Sequence, residues 1–303
     1  HDKEELISAS KTKYYPVTLA TVMPKIHELR GKVAVVGIAC FIKAIRLAQH
    51  TEPELKEKIP FLVGIICGGI KSRFFTEYLA NKAGVEIENI EKPLFRIKDF
   101  QSTASDYSYG CKDEKGNLHT IKMRKVGDMW GSGMFKNNAC DFCDDVTTEL
   151  ADISLGDAWL NPYNKDGKGT NVIVTRSKLA EDLINSGIRS TDLSVEPLAF
   201  ETFLSSQQGS FNHRHKGLGY RMNLAEKRGM TIPPKRHDKE KISLDFKWVQ
   251  NQRMKVRKLS LIEWAKHKDS NLFDDAMSEP MEKLKRITRI YHYTRSIKRR
   301  LHL

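Results

Sequence analysis

Cys140-Asp141-Phe142-Cys143, with Ala151-Asp152-Ile153-Ser154-Leu155-Gly156-Asp157 close behind, is the stretch around which the chain is organised. A Cys-x-x-Cys pair offers two soft thiolates to one metal ion or cluster, and such a pair needs further ligands. Two more cysteines stand where a fold could deliver them. Cys40 follows the run VAVVGIA at 33–39, and Cys67 follows FLVGII at 61–66. Both runs are short, continuous and apolar, and each leads into a segment of helical periodicity. That is the pattern of a buried parallel strand and its crossover helix. If the two strands are neighbours, both thiols emerge at the carboxyl edge of one sheet, where open α/β sheets place their ligands. Cys40, Cys67, Cys140 and Cys143 are therefore candidate ligands of one inorganic centre. The residues alone leave an iron–sulfur cluster, a zinc ion and no metal all open.

Composition bounds the rest. The chain has 303 residues, 40% hydrophobic and 29% charged, which describes a globular protein with room for one large domain or two ordinary ones. No run of eighteen apolar residues occurs, so no membrane-spanning helix is expected. The start, HDKEE, has neither a methionine nor an apolar signal core and reads as a fragment. Five cysteines without a regular framework favour reduced thiols in a cytoplasmic compartment. The net charge of +13 is concentrated. Residues 209–303 hold 24 Lys and Arg against 10 Asp and Glu, a net +14, which leaves −1 for residues 1–208. A basic balance confined to the last third argues against a nucleic-acid channel through the core.

In chain order, Ser8–Tyr15 interleaves hydroxyl residues with Lys11 and Lys13, a composition able to hold a diphosphate. A helix is expected over 18–30, then strand 33–39, helix 41–49, a helical turn at 52–58, strand 60–66 and a helix from Ser72 to Ala83. No Gly-x-Gly-x-x-Gly follows either strand, so the usual dinucleotide fingerprint is absent. Short alternating segments over about 94–126, with Lys115-Gly116-Asn117 as a turn, predict a small β insertion. Cys111 lies inside it and reads as a strand residue rather than a ligand. Beyond the glycine-rich loop 127–139 and the Cys pair, a helical turn is expected at 147–151, then a strand at 153–155 and a turn at 156–159. A strand at 172–175, a helix at 179–186 and an edge strand at 190–196 complete this part. His213 and His215, flanking Arg214, read as surface residues. From there the chain is helical and basic, with Leu284, Ile287, Ile290, Tyr291, Thr294 and Ile297 at helical spacing. The architecture predicted is α/β, with a mixed sheet flanked by helices, the β insertion and a C-terminal helical basic extension.

Several motifs, in order, resemble the coenzyme F420 hydrogenase/dehydrogenase beta-subunit family over roughly residues 8–230. GKVAVVGIAC at 31–40 is similar to that family's GKKVLFVGTPCQ strand, and CGGIKS at 67–72 to its CHGVPS turn. Cys140-x-x-Cys143 with ADISLGDA at 151–158 resembles its CxxC and ADISxGD block. Gly169-Thr170-Asn171 is similar to its GTS strand entry, and Asn212-His213-Arg214 to a bacterial HR element. Two departures fall beside the cysteines: Ile38-Ala39 replaces Thr-Pro, and Gly68 replaces His.

The resemblance implies an oxidoreductase carrying FAD and a [4Fe-4S] cluster, the latter on Cys40, Cys67, Cys140 and Cys143. Electrons would come from a ferredoxin-like domain or protein and pass to a small organic acceptor such as a deazaflavin. Flavin candidates are Ser10, Lys11 and Lys13 for the diphosphate, the backbone of Gly37–Ala39 for the ring slot, and Asn138, Asp157, Thr170 and Asn171 as polar neighbours. Turn or cap duty is the plain alternative for the last group. No general base is nominated, because the flavin carries the hydride. The expected division is a flavin/iron–sulfur core at 1–208 and a basic helical region at 209–303, with homo-oligomerisation possible. A zinc-stabilised binding module and a nucleic-acid-binding protein using the basic region are the competing readings.

Overall fold

The computed structural model describes residues 2–10, 12–236 and 240–301. Among them the strands are β1 (Ala34–Ile38), β2 (Phe61–Ile65), β3 (Glu91–Ile97), β4 (Ser108–Lys112), β5 (Leu118–Lys122), β6 (Ile153–Asp157) and β7 (Asn171–Thr175). They form a four-stranded sheet in the order β1-β2-β6-β7 and a three-stranded sheet in the order β3-β4-β5. The fold is α/β, with a mixed sheet, helices around it and a helical C-terminal region.

The chain divides into two compact units that interleave in sequence. One comprises Val17–Gly68 and Cys143–Arg214; the other comprises His1–Pro16, Gly69–Phe142 and His215–Leu303.

The first unit contains the mixed sheet. β1 and β2 pair in parallel from Ala34↔Phe61 to Ile38↔Ile65, and β2 pairs in parallel with β6 from Val63↔Ile153 to Ile65↔Leu155. β7 closes the sheet antiparallel to β6, with Asp157 opposite Asn171. The helix Ala39–Thr51 buries Ile42 and Ile45 in a core with Ile26, Leu55, Ile59, Leu62 and Ala151. Gln49 stitches this core to the backbone, its amide donating to the carbonyls of Leu55 and Ile59. Continuous apolar runs predict strands buried on both faces, but Val36 is 61% exposed. β1 is an edge strand, and only its alternate face meets the helix.

The second unit contains β3–β5, the predicted insertion, which begins at Glu91 and ends in a short helix, Met123–Val126. Gly116 turns the β4–β5 hairpin with φ +81°. Cys111 lies buried in β4, and burial pushes its thiol pKa up. The C-terminal helices Leu244–His267 and Ser270–Arg300 pack here rather than standing apart. Trp264 and Phe273 join Tyr78 and Phe135 in one aromatic cluster, with ring centroids 5.0–6.3 Å apart. Trp264 also donates from Nε1 to Glu77 Oε2 at 2.9 Å. Such a cluster combines large apolar burial with edge-to-face attraction.

Three local expectations are corrected. Residues 147–151 form no helical turn, because Thr148 adopts a left-handed conformation, φ +55°. Residues 190–196 form no strand. Gly156 and Asp157 are not a turn but the last two residues of β6, held by their pairing with β7.

Candidate functional site

In the mixed-sheet unit, strand register gathers much of the predicted site at one edge. Ile38 and Ile65 are paired at the ends of β1 and β2, so Ala39-Cys40 and Ile66-Cys67 leave the sheet side by side. Cys40 opens its helix and is exposed; Cys67 is half-buried. β6 ends beside them at Asp157, and β7 starts at Asn171, with Ala158 N–H donating to Thr170 O at 3.0 Å. Gly156 is required here, since a Cβ would lie 2.7 Å from the Ile66 side chain. Gly37, Ala39, Cys40, Cys67, Asp157, Thr170 and Asn171 therefore share the carboxyl side of one sheet. This is where the fold class binds ligands.

The segment after Cys143 belongs to the same unit and is tied down over β2. Cys143 Sγ lies 3.5 Å from Asp145 O, to which Arg214 also donates. Thr148 Oγ1 donates to Ile65 O at 2.8 Å, and Asp152 accepts from Leu62 N–H at 2.8 Å and from Arg46 at 3.1 Å. Arg176 reaches Ser154 Oγ and Thr147. Burial, with Glu149 nearby, raises the Asp145 carboxyl pKa, and burial lowers that of Arg176. Of the two histidines expected at the surface, His213 is buried and His215 half-buried, and Arg214 between them is buried as well. The Asp145 carbonyl is the reason for Arg214.

In the other unit, the turn Asn138–Phe142 carries Cys140. Residues 70–72 run antiparallel to 135–137, with Ser72 N–H donating to Phe135 O and Asn137 N–H to Ile70 O. That pairing aims the Ile70 N–H at Cys140 Sγ, 3.3 Å away. Gly69, at φ +135°, makes the approach possible, because a Cβ would meet Lys136 Cε at 2.7 Å.

Buried cations surround this turn. Lys71 donates to Met129 O and Met134 O at 2.6 and 2.5 Å, with Nζ 4.5 Å from the Trp130 ring centroid. Burial and neighbouring Lys136 keep its pKa well below the usual lysine range, although those carbonyls favour the ammonium. Arg221 donates to Asp141 O and Arg257 to Asp141 Oδ2, each at 2.8 Å. Sequence reasoning missed all three: neither Lys71, in the turn before the helix Arg73–Lys82, nor Arg221 and Arg257, on basic helices, carries a mark of facing inward.

Of the remaining candidates in this unit, Asn138 is exposed, Lys13 is exposed, and Ser10 donates its hydroxyl to Ile7 O. Lys11 lies outside the described residues. Among the described residues, no group of three or more His, Cys, Asp or Glu side chains stands as a ready cage for a metal ion, and no helix is long and apolar enough to cross a membrane.

Comparison with known proteins bears on the same stretch. The chain is 23% identical over 207 residues to the beta chain of the coenzyme F420 hydrogenase of Methanosarcina barkeri, covering 65% of this chain and 62% of that one. With the coenzyme F420-dependent sulfite reductase of Methanocaldococcus jannaschii it shares 27% over 198 residues, covering 60% and 28%. A component of the F(420)H(2) dehydrogenase of Methanosarcina mazei is 25% identical over 153 residues, covering 50% and 40%. The chain thus spans less than two thirds of each of these relatives. Its fold is similar to a chain in the structure of the F420-reducing [NiFe] hydrogenase complex from Methanosarcina barkeri, solved for xenon derivatization. The TM-score there is 0.52 at 19% identity, covering 76% of both chains. The family model describing the C terminus of the coenzyme F420 hydrogenase/dehydrogenase beta subunit matches residues 30–200, more than half the sequence, and the chain belongs to that family.

Proposed function

We propose that this chain is an iron–sulfur flavoprotein oxidoreductase that exchanges electrons with a deazaflavin of the F420 type or another small organic acceptor. The observation that carries the reading is the shared sheet edge, where Cys40 and Cys67 stand with Asp157, Thr170 and Asn171. Cys40, Cys67, Cys140 and Cys143 are the proposed cluster ligands. Their chemistry suits the group: all are sulfur donors, and Cys140 Sγ already receives a backbone N–H, a bond that tunes cluster potentials. When bound, a [4Fe-4S] cluster supplies one-electron transfer, and FAD couples it to hydride exchange.

The protein's own work is to hold and orient. The backbone at Gly37–Ala39 lines the proposed flavin slot, while Asp157, Thr170, Asn171 and Asn138 supply polar contacts. Ser10, Lys11 and Lys13 are proposed for the diphosphate. All these contacts lie within 1–208, with 209–303 as helical cover. A ferredoxin-like domain or protein is the proposed electron donor, and self-association is compatible with this reading.

Iron, acid-labile sulfide and flavin measured on one anaerobic preparation test it. We expect iron and sulfide in equal amounts, with FAD, and loss of iron in C40S, C67S, C140S and C143S. Iron content unchanged by C140S, or zinc in place of iron, would refute the cluster assignment.

A further inference from the structure

The last helix, Ser270–Arg300, has two distinct faces at its distal end. Tyr291 stacks on Phe246 with centroids 4.8 Å apart, and Thr294 Oγ1 donates to Asp245 Oδ2, so this face is taken by the neighbouring helix. The stripe that flanks this face is apolar and open. Ile290, Tyr293, Ile297 and Leu301 recur at three- and four-residue spacing and are 45%, 68%, 38% and 61% exposed. Single exposed apolar residues need no explanation, but four in one stripe form a patch. Around it, residues 283–300 carry eight Lys and Arg and no Asp or Glu. Exposed Arg286, Arg289, Lys298 and Arg300 are among them. At the same end of the hairpin, the helix Leu244–His267 exposes Leu244 and Trp248, 68% and 54%.

We infer that this end of the C-terminal hairpin docks on an anionic lipid surface. An aliphatic stripe edged by cations, with Tyr and Trp at hand, is what an interfacial helix presents to headgroups and the first acyl carbons. Charge complementarity selects an anionic surface, and the stripe selects lipid over the alternatives. A nucleic acid would use the cations but leave four large apolar side chains in water, and an acidic protein would need an apolar groove matched to the stripe beside its carboxylates. The inference is independent of the redox proposal and uses none of its residues.

Flotation of the full chain with vesicles tests it. Phosphatidylcholine vesicles are compared with mixed phosphatidylcholine–phosphatidylserine vesicles at low and high salt. We expect binding to the mixed vesicles alone, lost at high salt, with a blue shift of tryptophan emission that W248F removes. I290S/I297S should abolish binding, and R289Q and R300Q should each weaken it roughly fivefold, the equivalent of about 1 kcal/mol per cation near such a surface. All these positions are exposed, so circular dichroism should show unchanged melting. Equal binding to neutral vesicles, no vesicle binding, or full binding by I290S/I297S would overturn the inference. Salt-sensitive retention on nucleic acid or an acidic protein without vesicle binding would overturn it too.

Discussion

Arg257 donates through Nε to the Asp141 carboxylate at 2.8 Å, so the C-terminal helix and the Cys140 turn are locked by a pair largely closed to solvent. A buried charge that loses its partner is costly. R257M should therefore destabilise the protein by roughly 3–5 kcal/mol, while R257M/D141N should cost less than the two single changes combined. Urea unfolding of the four proteins reads this directly, and additivity would refute the pairing.

The loop after Cys143 is seated on β2 through Gly64, where an added Cβ would lie 2.6 Å from Thr148 Cγ2 and 2.8 Å from Ala151 Cβ. G64A must push that loop away. Its expected cost is about 1–3 kcal/mol, typical of overpacking, with faster amide exchange over 146–152. Hydrogen exchange by mass spectrometry would show whether the loosening is local.

Lys71 gives a pH signature. Its folded pKa is lowered from about 10.5, chiefly by burial. Between the two values the unfolded chain binds the extra proton, so stability rises with pH on the approach to the ordinary lysine value and flattens beyond it. K71M should remove that rise while leaving two buried carbonyls without their donor. Parallel stability–pH slopes for wild type and K71M would contradict the assignment.

Much of this was readable in advance, and the misses have causes. β1 and β2 announced themselves as apolar runs, and their thiols followed by topology. Asp157 reads as a site candidate but not as a strand residue, because Gly156-Asp157 spells a turn to the eye; the glycine is there for Ile66. Thr148 at positive φ carries no sequence mark. Arg214, Arg221 and Arg257 look like any other surface cations, since what distinguishes them is a carbonyl or carboxylate distant in sequence. Charge counting found the excess but not its inward portion.

Trp264 offers the broadest test of the C-terminal helices as core. It is fully buried among Tyr78, Phe135 and Phe273. W264A should cost about 3–5 kcal/mol, as large aromatic truncations do. A loss within experimental error would mean the helices only rest on the unit.

The interleaving of the two units sets a practical boundary. The stretch that the family model matches, 30–200, stops before Arg214, Arg221, Arg257 and Trp264. A shortened polypeptide cut there would be missing the scaffolding of its own Cys140 turn. Kinship and self-sufficiency have different borders in this chain, and the longer one governs any excision.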